Sequence, residues 1–358
     1  MELAKKTRLP HYNSLIRYAR MLKFGEIHTK IDPASGLHAI IAIHSTKLGP
    51  AIGGCRFYEY KTAELALKDV LRLAYGMTLK AAACGLSHGG AKAVILKPKG
   101  DFDRKKLFQS FGDFVQELNG RYITAVDLGS TLDDMSTVFE RTSYAIGAKG
   151  PGRVDEDPSP STAKGVFRAI QAAVKFKFHK NNCQGIRVAV QGIGHVGYHL
   201  TRYLVEDGAT VVISDINPTA VEKCLKIAGI TSVAPDEIET IDCDIFSPCA
   251  LGGSVTLDLI HRTKAKIIAG AANNQLAHHK NPHLMQERGI IYLPDFLINS
   301  GGLLNAAMTY TYQDLSKVNE KVDEIYGLTL RMLTRAEKTG KTPNAVAETM
   351  AFEKLNAK

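Results

Sequence analysis

Arg187–Gly197 reads RVAVQGIGHVG, and Thr210–Asp215 reads TVVISD. RVAVQ is a short apolar run rich in valine and bounded by glycine, which reads as a buried strand, and TVVIS reads as a second one. Between them a helix is expected from His195 to about Asp207, closed by Gly208. Gly192, Gly194 and Gly197 therefore stand where a strand turns into a helix. Glycines with this spacing serve a dinucleotide: the first makes the tight turn, the second admits a pyrophosphate to the backbone, and the third lets helix and strand pack closely. The helix start, with His195 and Val196, offers unpaired N–H groups and the positive dipole end. Asp215 closes the second strand, where an acid takes the adenosine ribose hydroxyls. A carboxylate there repels a 2′-phosphate, so NAD is expected rather than NADP.

The same alternation extends in both directions. A helix is expected from about Thr162 to His179, apolar runs recur near Cys243–Phe246, Lys266–Ala269 and Ile290–Leu293, and Asp314–Lys358 reads as helices. Buried strands alternating with helices predict a parallel, doubly wound sheet of the Rossmann type. Upstream the grammar is mixed. A strand is expected over Gly36–Ser45 after a turn at Asp32-Pro33, a helix over Thr62–Met77, a strand over Lys92–Leu96, and a helix over Lys106–Asn119 ending at Gly120. Residues 147–160, GAKGPGRVDEDPSP, break the periodicity and read as a linker. The chain is thus expected to be α/β with two domains. Residues 1–148 would form a substrate-binding and oligomerisation domain, to which a helix at 340–358 returns, and residues 149–339 the dinucleotide-binding domain.

At 358 residues the chain exceeds the size at which one core stops growing, which supports two domains. Its net charge of +9 raises the question of nucleic acid, but the basic residues are scattered. The densest group, Lys5, Lys6 and Arg8, sits near the start, and no basic–aromatic motif accompanies it. No nucleic-acid partner is expected. No apolar run is long enough to span a bilayer, and the first residues have no apolar leader core, so a cytoplasmic location is expected. The six cysteines form no CxxC pair and no cluster with histidine, so reduced thiols and no metal site are expected.

Several longer motifs follow one another. They are Gly49-Pro-Ala-Ile-Gly-Gly54, Gly76-Met-Thr-Leu-Lys80, Gly85-Leu-Ser-His-Gly-Gly-Ala-Lys92, and Arg121–Met135 around Asp127. Downstream stand Asp157-Pro-Ser-Pro, Cys243–Gly253, Gly270–Leu276 and Pro294–Gly302. In this order they resemble the Glu/Leu/Phe/Val dehydrogenase family, most closely its leucine dehydrogenase branch, over nearly the whole chain. The resemblance implies an NAD-dependent, reversible oxidative deamination of an L-amino acid to a 2-oxo acid and ammonia, by a homo-oligomer between dimer and octamer.

Residue roles carried by the resemblance agree with the chemistry. Lys80 matches the lysine that binds the substrate carboxylate, a task suited to an ammonium at a helix end. Lys92 matches the general acid/base, expected beneath a Gly89-Gly90 turn. An amine doing that work near neutral pH needs burial or a neighbouring ammonium to ease its proton off. Asp127 matches the aspartate that holds the substrate ammonium, whereas Asp133 and Asp134 read as the start of a helix, where acids suit the dipole. Gly54 and Asn299 match positions beside the substrate. Thr162, Ala250 and Asn273 match positions beside the cofactor.

By the same match, Ile52, Ala125, Leu303 and Ala306 line the side-chain pocket. All four are apolar, and a second carboxylate buried among them would go unpaired, which disfavours glutamate. Leucine, valine or isoleucine is expected. The alternatives are a phenylalanine dehydrogenase or a catalytically silent sensor of NAD or amino acids. Five positions depart from the leucine branch: Leu303 replaces a smaller residue common there and Ala306 does the reverse, Val126 replaces a frequent glutamate, and Met308 and Thr309 replace an acidic pair.

Overall fold

The computed structural model describes Ala19, Leu22 and residues 25–147, 157–312 and 315–357. Lys5, Lys6, Arg8, most of the 147–160 break and the expected boundary at 148/149 lie outside the described residues. The described residues gather into two compact units, one within 1–78 and 88–153, the other within 79–87 and 154–358.

The first unit is built on a five-stranded sheet of β1 (Glu26–Asp32), β2 (Leu37–Ser45), β3 (Ala51–Tyr58), β4 (Gly89–Leu96) and β5 (Tyr122–Val126), in the order β1-β2-β4-β3-β5. β1 and β4 run antiparallel to β2, while β3 runs parallel to β4 and β5. The expected turn at Asp32-Pro33 joins β1 to β2. One face buries Leu37, Ala39, Ile41 and Ile43 with Cys55, Phe57, Ala93 and Ile95 against aromatic residues of the helix Arg104–Glu117 and against Met135 and Val138 of the helix Leu132–Phe139. Side chains alternate along a strand, so Ile40, Ala42 and Val94 face the other way. They pack on Ala66, Val70, Leu71 and Ala74 of the helix Ala63–Ala83. Lys92 is paired with Ala42 and so belongs to this second face.

Gly89 and Gly90 are not a turn above Lys92; they are the first two residues of β4. They are glycine because neighbours close in on them. A Cβ on Gly89 would lie 1.9 Å from the Ser45 carbonyl oxygen, and one on Gly90 would lie 2.1 Å from Thr78 N. Thr78 in turn bonds His44, whose Nδ1 lies 2.8 Å from Thr78 Oγ1 and whose Nε2 lies 2.8 Å from the Leu22 carbonyl oxygen.

Burial lowers the proton affinity of the His44 ring, outweighing the opposite pull of the Leu22 carbonyl. An unfolded ring takes up a proton as pH falls through its ordinary value of 6.5, but the folded ring resists. The stability His44 confers is therefore full above that pH and is lost as pH falls below it. Melting temperature is expected to drop between pH 7.5 and 5.5 by less in His44→Gln than in the parent. Equal drops in the two proteins would show that His44 is not the group responsible.

The second unit has six parallel strands: β6 (Arg187–Gln191), β7 (Thr210–Ser214), β8 (Ile230–Ser232), β9 (Ile245–Pro248), β10 (Ile267–Ile268) and β11 (Ile291–Tyr292). Their order is β11-β10-β9-β6-β7-β8. This is the Rossmann order, with the chain changing direction between β6 and β9, and ligands of such sheets bind at the carboxyl ends flanking that switch. Helices Ser159–Phe178, His195–Glu206, Leu315–Thr339 and Pro343–Asn356 belong to this unit. In the last of these, Lys354 Nζ donates to the carbonyl oxygen of Ala83, at the end of the helix that bears Lys80. Among the described residues, no helix is long and apolar enough to cross a membrane, and no group of three or more His, Cys, Asp or Glu could hold a metal ion.

Candidate active site

In the first unit the sheet's second face carries charge. Lys92 is only 6% exposed, and its Nζ lies 3.0 Å from Asp127 Oδ1. Asp127 follows β5, where Gly54 stands beside Ala125 on β3. A Cβ on Gly54 would sit 2.9 Å from Asp127 Cβ and 2.6 Å from the Val126 carbonyl oxygen, so glycine is what admits Asp127 this close. The Asp127 N–H donates to Ser130 Oγ at 2.9 Å, and that hydroxyl donates to the Cys55 carbonyl oxygen at 2.7 Å. Arg56 Nε donates to the second carboxylate oxygen, Oδ2, at 3.0 Å. Burial alone would raise the Asp127 carboxyl, but the Lys92 and Arg56 charges outweigh it and hold the group below its usual range.

In the second unit, Lys80 lies in the last turn of the helix Ala63–Ala83, which runs past the expected end at Met77, and its Nζ donates to Asn273 Oδ1 at 3.2 Å. The same oxygen accepts from Asn299 Nδ2 at 2.9 Å. Asn299 also donates to the Ala271 carbonyl oxygen at 3.1 Å, while its own buried Oδ1 receives no hydrogen bond from the described residues. An unmet buried acceptor is costly and suits a donor brought by a ligand. Asp295, within the Pro294–Gly302 motif, accepts the Asn274 N–H and so fixes the turn after Asn273. Burial raises the Asp295 carboxyl against the opposing Lys80 charge.

The three glycines at the carboxyl end of β6 do three different things. Gly192 has φ +91°, and a Cβ there would lie 2.7 Å from Ala250 at the end of β9. A Cβ on Gly197 would lie 2.1 Å from the Gly192 carbonyl oxygen. Above Gly194 there is open space, and this residue caps the helix without any side-chain bond to its first N–H groups. His195 is exposed and Val196 half-buried beside it. Both oxygens of Asp215 brace the turn, Oδ2 accepting from Ile193 N and Oδ1 from Asn217 N, each at 2.8 Å. A carboxylate has about four lone-pair sites, so acceptor capacity remains for sugar hydroxyls. Ile216 is 89% exposed, a bare apolar side chain next to that acid. An uncapped helix start, an open glycine and an acid with spare acceptors fit a dinucleotide. Thr162 lies near the start of the helix Ser159–Phe178, where Cβ atoms on Gly301 and Gly302 would lie 1.9 Å from the Ser161 carbonyl oxygen and 2.6 Å from Thr162 Oγ1.

The four expected pocket positions divide between the units. Ile52, 2% exposed, and Ala125 belong to β3 and β5 of the first; Leu303, 9% exposed, and Ala306 belong to the helix Gly301–Tyr312 of the second. Sequence reasoning gave no role to Arg56 or Asp295. The signal for Arg56 was a guanidinium inside an otherwise apolar run, AIGGCRFY.

Residues 23–144 match the family model described as Glu/Leu/Phe/Val dehydrogenase, dimerisation domain, and residues 218–358 match that of Glutamate/Leucine/Phenylalanine/Valine dehydrogenase. The chain belongs to the Glu/Leu/Phe/Val dehydrogenase family. It is 42% identical to leucine dehydrogenase of Bacillus subtilis (strain 168), covering 95% of this chain and 94% of that one. It is 41% identical to valine dehydrogenase of Streptomyces virginiae, covering 91% and 92%. The crystal structure of L-tryptophan dehydrogenase from Nostoc punctiforme superposes with a TM-score of 0.85 at 38% identity, covering 96% of this chain and 98% of that one. As a Glu/Leu/Phe/Val dehydrogenase the chain is an NAD(P)-dependent amino acid dehydrogenase. The family resemblance read from the motifs is thereby established, as is the α/β architecture with a Rossmann-type sheet.

Proposed function

We propose that this dehydrogenase oxidatively deaminates a branched-chain or small apolar L-amino acid with NAD, reversibly, giving the 2-oxo acid and ammonia. The observation that carries the mechanism is the buried Lys92–Asp127 pair, 3.0 Å apart. Asp127, held ionised, takes the substrate ammonium. Lys80 takes the α-carboxylate, with Asn273 and Asn299 orienting it. The substrate ammonium gives a proton to solvent before the Cα hydrogen leaves as hydride, for which bound NAD would supply the acceptor. Neutral Lys92 takes a proton from the water that adds to the resulting iminium carbon, gives it to the departing amine, and takes the hydroxyl proton as the carbonyl forms and ammonia leaves. Gly192, Gly194, His195, Val196, Gly197, Ala250, Asp215 and Thr162 would hold the cofactor; the Asp215 charge supports NAD over NADP.

Ile52, Ala125, Leu303 and Ala306 support an apolar side chain. Relatives named for leucine and valine point the same way. The family domain described as dimerisation supports a homo-oligomer, and we infer a cytoplasmic location from the sequence alone.

The test is NADH and NADPH formation, followed by absorbance, across branched-chain, aromatic and acidic amino acids. Leucine, valine or isoleucine with NAD should turn over fastest, with NADP at least about tenfold poorer, as expected for repulsion of a 2′-phosphate. Faster turnover of phenylalanine or tryptophan would overturn the substrate assignment. Equal use of NADP would overturn the role given to Asp215.

A further inference from the structure

Asp127 is held from two sides by cations of different character. Lys92 on β4 reaches Oδ1, and Arg56 on β3 reaches Oδ2, both at 3.0 Å. A lysine that exchanges protons during the reaction is a partner of changing charge. Arginine stays charged at every working pH. Arg56 is itself anchored. Its Nη1 donates to Asp69 Oδ2 at 2.7 Å, and Tyr60 Oη donates to the same oxygen at 2.7 Å. Arg72 Nη2 reaches the other Asp69 oxygen, Oδ1, at 3.2 Å. These contacts are shielded, since the side chains of Arg56, Asp69 and Asp127 are 19%, 16% and 23% exposed. An exposed pair would contribute little. A planar guanidinium that spans two carboxylates through different nitrogens fixes their relative position, which a lysine ammonium does not.

We propose that Arg56 is a positioning residue: anchored on Asp69, it holds the Asp127 carboxylate through the oxygen that Lys92 leaves free, so that Asp127 keeps its place and charge while Lys92 gains and loses its proton. This rests on the reading of Asp127 as the group that takes the substrate ammonium. The charged and titratable groups around Asp127 are Lys92 from β4, Arg56 from β3, and the buried Cys55 and Tyr122 of β3 and β5, which feel its charge. Beyond Arg56 stand Asp69, Tyr60 and Arg72, while Asp134 and Arg104 stand near Cys55. Without Arg56, the burial that raises the Asp127 carboxyl is opposed by Lys92 alone. Asp127 would then take up its proton at a higher pH, and the substrate site would lose its anion on the acid side.

The experiment compares kcat/KM for leucine in Arg56→Gln, Arg56→Lys, Asp69→Asn and Asp127→Asn with the parent enzyme from pH 6 to 10.5, with NAD affinity as the check on folding. Taking the ratio of variant to parent cancels ionisation of the substrate. Arg56→Gln should lose at least about tenfold in kcat, as for a misplaced reacting group, and its ratio should fall further as pH is lowered. In Arg56→Lys the ratio should be higher and flat with pH. Asp69→Asn leaves the guanidinium in place without its anchor and should lower kcat with a flat ratio. A purely structural role would give Arg56→Gln a flat ratio too, and that result, or parental kinetics, overturns the proposal. Should Arg56→Gln lose NAD binding and fail to fold, parental kcat in Asp69→Asn overturns it instead. Parental turnover in Asp127→Asn would strike down the reading of Asp127 itself, whereas an inactive Asp127→Asn beside an unaffected Arg56→Gln removes only the role of Arg56.

Discussion

Lys92→Ala is expected to retain NAD and lose turnover by at least about 10³-fold, within the range general acid–base groups contribute. The chain should survive the change because Asp127 keeps its second cation, Arg56, at 3.0 Å. Quenching of NADH fluorescence checks cofactor binding, and absorbance at saturating leucine checks turnover. Near-parental turnover would show that some other group moves the proton. The same variant carries a pH signature in stability. Burial raises the Asp127 carboxyl, and the Lys92 and Arg56 charges more than reverse that, leaving it below its ordinary 3.8. A carboxyl with a depressed folded value confers stability that is full above the unfolded value and is lost as pH falls through the folded one. The difference in melting temperature between parent and Lys92→Ala should therefore shrink as pH drops below about 4, the ordinary carboxylate value.

Gly53→Ala is expected to destabilise the first unit by about 3–5 kcal/mol, a cost reserved for substitutions that force the backbone apart. A Cβ on Gly53 would sit 1.7 Å from the Ala91 carbonyl oxygen and 2.4 Å from its carbon, both backbone atoms with nowhere to go. β3 would have to leave β4 between the Ile52–Gly90 and Cys55–Ala93 pairs. Gly76 is the control. It lies in the helix Ala63–Ala83, and a Cβ there meets nothing within 4 Å. Gly76→Ala should stabilise by about 0.5–1 kcal/mol through helix propensity. Urea unfolding of the three proteins checks both signs. A Gly53→Ala midpoint equal to the parent's would mean that the close approach of β3 to β4 is not obligatory.

The contrast between these two glycines marks what was legible in the sequence. The Rossmann strands β6 and β7 stand at the residues expected, because a buried parallel strand is a continuous apolar run whose ends glycine and acid punctuate. β1, β3 and β5 were not read as strands. β1 is an edge strand with Ile27 and Ile31 exposed, and β3 carries Gly53-Gly54 within it, which read as a motif without secondary structure. The turn expected at Gly89-Gly90 is strand for the same reason. Glycine there answers to a neighbouring element rather than to a bend, and only the paired strands reveal the neighbour. The motif match picks out Lys80, Lys92 and Asp127 as candidates for the site. It does not show their partners, because Arg56 with Asp127, and Asn273 with Asn299, are joined by the fold across long stretches of sequence.

Gly301 and Gly302, pressed against Ser161 and Thr162 with no room for a Cβ, have an implication for engineering. The first turn of the helix Gly301–Tyr312 is clamped, so its backbone is a fixed mount. Leu303 and Ala306 stand on that mount one and four residues beyond Gly302. A combinatorial library at these two positions would vary side-chain volume over an immobile backbone. On the proposed reading of Leu303 and Ala306 as pocket residues, such a library redraws substrate range without disturbing the register of Thr162.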